Sequence, residues 1–373
     1  MSDPIQAITM PKWGMTMTEG KITAWLFAEG DAVGAGDEFV EVETDKIANV
    51  VEAEHAGHLR RILVPAGQSA RCGSLIAVMA PFEVTDAEIK TYLEGFVLEG
   101  ADDSAGPSLT QRKVAVGDLT LNVVTAAGGD GVPMMMIHGF GADTGAWMFN
   151  QADLAVGRDV HAVDLPSHGA SDVAPGCADL AALTGAVAGV LSQIAPDGAH
   201  LVGHSLGGRI ALRLAAQADT HARSLCLIAP AGFVGGVNQD FLTTFTEADR
   251  RRPMKAALQM LVADPDAVSS EMIERTLSFK RIDGVPDALA AIVAQSLTQA
   301  AVSDGVADDL AGLTCPLLVI WGEQDRILSP DGAKMAPDGA TVVTIENAGH
   351  MPQMEAANRV NQAIAAHLDG VAT

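Results

Sequence analysis

The sequence predicts two domains of different class. The first is a small all-β flattened barrel or sandwich; the second is a larger α/β domain with a mostly parallel sheet and helices on both faces. Three observations carry this. Residues 20–42 align without gaps on residues 57–79, and both copies read as short strands punctuated by glycine. From residue 112 onward, apolar strand-like runs alternate with helical stretches. Between the two, residues 98–111 lose their periodicity and turn polar. A chain of 373 residues has room for one large domain and one small one.

The N-terminal repeat sets "GKITAWLFAEGDAVGAGDEFVEV" on "GHLRRILVPAGQSARCGSLIAVM" with a shift of 37 residues. It pairs Gly20 with Gly57, Leu26 with Leu63, Gly30 with Gly67 and Gly36 with Gly73. Two such copies imply two sheets related by approximate two-fold symmetry. Lys46 falls in the segment that joins them. "FVEVE" before it and "IANVVEAE" after it read as strands, and "TDK" suits a tight turn, so the lysine is expected at an exposed hairpin tip. An ordinary solvated turn lysine is the plain reading, but the context favours modification. Through "MPKWGMTMTEG", "EGDAVGAGD" and "VETDKIANVVEA", residues 1–80 resemble the lipoyl domains of 2-oxo acid dehydrogenase acyltransferase components. That resemblance implies lipoate on Lys46. Biotin domains share the fold but flank their lysine with methionines, which "TDKIA" lacks.

Residues 81–111 are expected to hold a short helix and a linker. In "VTDAEIKTYLEGFV", Thr85 and Glu88 fit a capping box, and Ile89, Leu93 and Phe96 form an apolar face. The helix either docks a partner or packs on its own barrel. "LEGADDSAGPSLTQRK" then reads as a flexible linker with an r.m.s. span of roughly 20 Å. The resembled acyltransferases usually carry a subunit-binding domain here, and residues 81–111 match none.

The second domain, residues 112–370, offers six strand candidates: "VPMMMIHGF", "DVHAVDLP", "AHLVGHS", "SLCLIAP", "PLLVIWGEQD" and "TVVTIENAGH". "DLAALTGAVAGVLSQI" and "LGGRIALRLAAQ" are helices between them. "GHSLGG" lies at a strand-to-helix turn and gives G-x-S-x-G at Gly203, Ser205 and Gly207; glycines are needed where side chains would collide in a sharp turn. A serine hydroxyl needs a base, and in this arrangement the order is serine, acid, histidine. Asp325 and His350 follow in that order, each at the end of a predicted strand. His350 is then the base and Asp325 its orienting acid, with the backbone N–H groups of Phe140 and Leu206 as oxyanion donors. Asp164 is a rival acid, but it precedes the serine, and "DLPSHGASD" reads as a structural loop.

The ordered set resembles the α/β-hydrolase family, which implies a helical cap over about residues 233–300. A lipoyl domain fused to such a domain resembles the acyltransferase component of acetoin dehydrogenase complexes. The resemblance implies transfer of acetyl from lipoyl-Lys46 to coenzyme A. It also implies a thiamin-diphosphate-dependent enzyme and a flavin dehydrogenase as partner components, and a homo-oligomeric assembly. The H-x-x-x-D-G motif of the usual acyltransferases is missing, so an acyl-Ser205 intermediate is the expected route. Two other readings stay open: a thioesterase or other hydrolase whose lipoyl domain serves for attachment, and a carrier or assembly subunit with a vestigial triad. In "RRRPMK", Arg250, Arg251, Arg252 and Lys255 are candidates for the phosphates of coenzyme A, against the plainer reading of a solvated helix end.

Bulk properties agree. A net charge of −24 and a pI near 4.6 argue against nucleic acid and anionic membrane surfaces. No apolar run reaches the ~20 residues of a spanning helix, and the N-terminus lacks the pattern of a signal peptide. Cys72, Cys177, Cys226 and Cys315 stand far apart without a CxxC pair, which argues for a reducing, cytoplasmic setting and against structural zinc or any other metal site.

Overall fold

The computed structural model describes residues 5–11, 19–34, 36–43, 48–53, 56–72, 74–95, 109–233 and 235–371. The chain divides into two compact units, Met1–Gly106 and Pro107–Thr373.

In the first unit the strands are β1 (Gln6–Thr9), β2 (Glu19–Trp25), β3 (Ala32–Val33), β4 (Glu38–Glu43), β5 (Ala48–Glu52), β6 (Gly57–Ile62), β7 (Ser69–Arg71) and β8 (Leu75–Ala80). They form two four-stranded antiparallel sheets, ordered β1-β8-β6-β3 and β5-β4-β2-β7. The 37-residue repeat is written into their hydrogen bonds. Gly30 N–H donates to the Leu59 carbonyl and Gly67 N–H to the Ile22 carbonyl, both at 2.7 Å. Leu26 N–H donates to Phe39 and Leu63 N–H to Ile76, both at 2.9 Å. In each pair one bond maps onto the other by the same shift. Gly30 (φ 99°) and Gly67 (φ 88°) adopt the left-handed backbone that the turn requires. Ile22, Phe39, Val40, Val42, Leu59, Ile76 and Met79 meet between the sheets as the core.

Helix α1 (Asp86–Gly95) opens on the expected box: Thr85 N–H donates to the Glu88 carboxylate at 2.8 Å, and Glu88 N–H to Thr85 Oγ1 at 3.3 Å. Ile89 is buried against Ile5, Val78, Ala80 and Val84, so the helix packs on its own barrel. Lys46, Gly73, Phe96 and positions 98–108 of the expected linker lie outside the described residues. On either side of Lys46, β4 and β5 pair antiparallel with Glu43 facing Ala48.

The second unit holds β9 (Leu109–Val116), β10 (Leu119–Ile137), β11 (Arg158–Val163), β12 (His200–His204), β13 (Ser224–Ile228), β14 (Leu317–Gly322) and β15 (Thr341–Ile345) in one sheet. β9 starts at Leu109, so residues 109–111 are strand rather than the end of a linker. β9 is mostly exposed and therefore polar, which hides it from a search for apolar alternation. β10 bends back on itself. Val123 faces Val163 and Ala126 faces Val160, so its first part runs against β11; Met134 faces Val160 and Ile137 faces Val163, so its last part runs with it. From there every neighbour is parallel, through β12, β13, β14 and β15.

Consecutive residues of these strands alternate between two cores, as the period of two demands. Met135, Ile137, Leu201, Leu225, Leu227 and Val319 face one core. Met134, Met136, Val202, Cys226, Ile228 and Ile320 face the other. The helices of this unit are α2 (Gln151–Leu154), α3 (Leu180–Ile194), α4 (Leu206–Ala215), α5 (Gln239–Glu247), α6 (Arg251–Gln259), α7 (Ser270–Lys280), α8 (Val285–Ser296), α9 (Gln299–Ser303), α10 (Val306–Ala311), α11 (Pro352–Glu355) and α12 (Ala357–Asp369). α3 and α4 cover the first face, and α2 and α12 the second. The helical insertion between β13 and β14 runs on to Ala311, past residue 300, where α10 is tied back to α4 by Arg209 and Asp309. No single helix among the described residues is long and apolar enough to cross a membrane.

Candidate active site

Ser205 stands between the end of β12 and the first residue of α4 with φ 54° and ψ −117°. This is a costly backbone for a residue with a Cβ. The sequence permits it through its neighbours. A Cβ on Gly203 would lie 2.4 Å from the Gly207 carbonyl oxygen, and one on Gly207 would lie 2.2 Å from that of Ile137. The turn is pinned by Ser205 N–H donating to Ile228 at 3.0 Å and by Ala231 N–H donating to Ser205 at 3.0 Å. The hydroxyl is thereby presented at the C-terminal edge of the sheet, at the positive end of α4.

His350 follows β15, and Asp325 follows β14. His350 Nδ1 donates to Asp325 Oδ2 at 2.8 Å, and both side chains are buried. This bond directs the other ring nitrogen away from the carboxylate. Asp325 Oδ1 accepts from Ile327 N–H at 2.8 Å and Leu328 N–H at 3.0 Å, while Trp321 Nε1 donates to Oδ2 at 3.0 Å. Burial pushes the Asp325 carboxyl up, but the His350 charge, its hydrogen bond and the two backbone donors outweigh this and hold it below the usual range. The structure thus joins Asp325 to His350. No hydrogen bond joins Ser205 Oγ to His350 among the described residues.

The loop after β10 supplies Phe140. Its N–H and that of Leu206 have no hydrogen-bond partner among the described residues. The Phe140 N–H shares a peptide plane with the Gly139 carbonyl, so fixing one aims the other. His138 Nδ1 donates to that carbonyl at 2.7 Å while its Nε2 accepts from Leu165 N–H at 3.0 Å. His168 Nε2 accepts from Gly141 N–H at 3.1 Å. Asp164, the rival acid, is spent on this loop: it accepts from Thr144 N–H at 2.7 Å, Ala170 N–H at 2.9 Å and Asn122 Nδ2 at 2.9 Å.

The cap helices reach the same loops. Arg275 of α7 clasps Asp143 with two 2.8 Å bonds, and Asp143 in turn accepts from Gly145 N–H at 2.7 Å. Lys280 is buried and donates to the carbonyls of Phe245, Thr246 and Ala248, which ties α7 to the C-terminal end of α5; burial pulls its pKa down. Arg250, Arg251, Arg252 and Lys255 lie at the N-terminal end of α6 on its exposed side, opposite buried Met254, Ala257 and Leu258. Arg251 is paired with Glu274 at 2.6 Å and Arg250 with Asp249 at 3.5 Å.

Four contributors escape a sequence reading: His204, Arg275, Arg326 and Glu355. His204 Nε2 donates to the His350 carbonyl at 2.8 Å. Arg326 and Glu355 hold the segment after α6. Each is recognisable only once distant loops are brought together, although His204 and Arg326 stand directly beside Ser205 and Asp325 in the sequence.

Comparisons with known proteins cover both units. Residues 134–363 match the family model described as the alpha/beta hydrolase family. Residues 6–79 match the one described as biotin-requiring enzyme, which covers biotin- and lipoyl-type domains. The chain is 40% identical over 373 residues to the dihydrolipoyllysine-residue acetyltransferase component of the acetoin cleaving system of Pseudomonas putida, covering 98% of each chain. It is 40% identical over 372 residues to the protein of the same name from Cupriavidus necator, covering 99% of each. Among solved structures, a meta-cleavage product hydrolase from Pseudomonas fluorescens superposes with a TM-score of 0.63 at 19% identity, covering 69% of this chain and 97% of the other. That last likeness speaks to the fold alone.

Proposed function

The chain belongs to the dihydrolipoyllysine-residue acetyltransferase components of acetoin cleaving systems, and from that premise we propose that it moves acetyl from lipoyl-Lys46 to coenzyme A through an acyl-Ser205 intermediate. It is an acyltransferase carrying covalent lipoate, and one component of a multienzyme system. Lipoate, when bound, supplies the thiol that carries acetyl as a thioester. For its attachment the chain offers the primary amine of Lys46, between the paired positions Glu43 and Ala48.

The steps belong to the second unit. Ser205 Oγ attacks the thioester carbonyl as His350 Nε2 takes the hydroxyl proton. The oxyanion is met by the N–H groups of Phe140 and Leu206, and Asp325 stabilises the imidazolium. The carbon–sulfur bond breaks, and His350 returns the proton to the departing thiolate. The coenzyme A thiol then gives its proton to His350 and attacks the acyl-serine. The new thioester forms, the carbon–oxygen bond breaks, and Ser205 recovers its proton. Exclusion of water decides between transfer and hydrolysis. Arg250, Arg251, Arg252 and Lys255 are proposed to face the acceptor's phosphates. The remaining components are proposed to be a thiamin-diphosphate-dependent enzyme and a flavin dehydrogenase, the chain to be a homo-oligomer, and the setting to be the cytoplasm.

One observation carries the reading: a serine held at positive φ at a sheet edge where the buried Asp325–His350 pair also ends, in a chain akin to acetyltransferases over nearly its whole length. The test omits coenzyme A. Acetyl-dihydrolipoamide mixed with the protein is expected to place acetyl on the Ser205 peptide, read by mass spectrometry, and Ser205→Ala is expected to lose transfer by several orders of magnitude. Near-wild-type transfer by Ser205→Ala would mean that coenzyme A attacks the donor directly.

A further inference from the structure

The backbone on both sides of His350 is held, and one carboxylate does most of the holding. Gly349 N–H donates to Glu355 Oε1 at 2.9 Å and to Oε2 at 3.0 Å, and Met351 N–H donates to Oε1 at 3.1 Å. The His350 N–H donates to the Leu261 carbonyl at 2.8 Å, and the His350 carbonyl accepts from His204. Glu355 Oε2 also accepts from Ala263 N–H at 2.6 Å. Arg326, directly after Asp325, donates to the Gln259 and Val262 carbonyls at 2.6 Å each. Residues 259–263, where the chain leaves α6, are therefore stitched to the loops of both Asp325 and His350. The approach is close: a Cβ on Gly349 would lie 2.7 Å from the Ala263 nitrogen.

We propose that Glu355 is a positioning residue for His350. It binds the N–H groups of the two residues that flank the histidine to the base of the cap and so sets where the imidazole stands relative to Ser205. The proposal rests on the reading of Ser205 and His350 as one nucleophile–base unit. A carboxylate is suited to the task because it only accepts and has about four lone-pair sites, enough for three N–H donors from two segments. Bonds to a charged acceptor are also shorter and roughly twice as strong as neutral ones. An amide in its place keeps one accepting atom and turns N–H groups towards N–H groups. The His350 backbone is then free to drift, and a displacement of about 1 Å between nucleophile and base is enough for a loss of roughly a hundredfold.

The test uses the full chain with two readouts. One is the rate at which a fluorophosphonate probe labels Ser205; the other is steady-state transfer from acetyl-dihydrolipoamide to coenzyme A. Glu355→Gln is expected to slow labelling and to lower kcat by about 10- to 100-fold, with KM for the donor changed less than about twofold. Glu355→Asp keeps the charge but is one methylene short of spanning both segments. It carries the same prediction and is the variant to read if Glu355→Gln loses its thermal transition. A folded variant that labels at the wild-type rate overturns the proposal and leaves Glu355 a structural tie only. A wild-type chain that does not label at all overturns the reading of Ser205 itself, and this proposal with it.

Discussion

Buried histidines of the second unit act through neutral rings. His204 is pushed down to about 3 by burial and by neighbouring His350, and its Nε2–H is committed to the His350 carbonyl. His168 is pushed down to about 3 by burial and His138, and its Nε2 lone pair holds Gly141 N–H. His200 is pushed down to about 4 by burial and by Arg158, His367 and Arg223. In the unfolded chain a histidine titrates near 6.5. Between that value and the folded ones the unfolded state binds more protons, so stability present at neutral pH is lost as the pH falls. The expected slope is about 1.4 kcal/mol per pH unit for each of the three groups. Asp325 adds to this only in stronger acid, because its folded carboxyl lies below the usual range. Denaturant titrations of the full chain between about pH 6 and 4.5 check the prediction. Stability that stays flat over that window would mean that these rings accept protons without breaking their bonds.

At the scale of elements, what could be read in advance divides along a physical line. Ser205, Asp325 and His350 are legible because a parallel sheet puts the C-terminal ends of β12, β14 and β15 on one edge, and apolar strand runs mark those ends. The barrel is legible because its two halves repeat each other. β9 and the start of β10 are not, since both lie where strand polarity and glycines erase the alternation. The glycines there serve both the reversal of β10 and close contact: Gly129 takes φ 142°, and a Cβ on Gly128 would lie 1.8 Å from the Ala155 carbonyl oxygen. Nor are Arg275, Arg326 and Glu355 legible, because each bonds across a gap that only the folded chain closes. Helix α6 joins the two kinds of information. Its basic start is plain in "RRRPMK", whereas its end is tied to the His350 loop by bonds no motif announces. If the exposed cations meet the acceptor's phosphates, Arg250→Ala with Arg252→Ala and Lys255→Ala raises the apparent KM for coenzyme A by about tenfold or more, on the scale of two or three charge-assisted bonds. The effect shrinks as salt rises. An unchanged KM would return these residues to the role of a solvated helix end; Arg251 is left intact because its pairing with Glu274 supports the cap.

For the whole molecule the question is why one chain carries both an attachment lysine and a serine nucleophile. Transfer between two groups on one chain is first-order, with an effective concentration of roughly millimolar for a short flexible connection. Separate proteins at cellular concentrations would fall well short of that. The consequence can be tested without cutting the chain. Lys46→Arg removes the attachment amine and leaves Ser205, while Ser205→Ala leaves the attachment and removes the nucleophile. With the proposed thiamin-diphosphate-dependent component and its substrate supplied to acetylate the arm and no free dihydrolipoamide present, each alone is expected to be inactive in overall acetyl transfer, and intact-mass measurement is expected to find the lipoyl increment on Ser205→Ala but not on Lys46→Arg. Mixed, the two restore activity, because a donor on one chain can visit the serine of another. Assembled together in the proposed homo-oligomer, the two variants share one particle, so the recovered rate per chain is expected not to rise with protein concentration; a rate per chain that rises with concentration would mean that donor and acceptor chains meet only in solution. A mixture that recovers a large, concentration-independent fraction of wild-type activity would show that chains exchange acyl groups within a stable oligomer. Lys46→Arg with full activity and no added donor would show that another residue carries the acyl group.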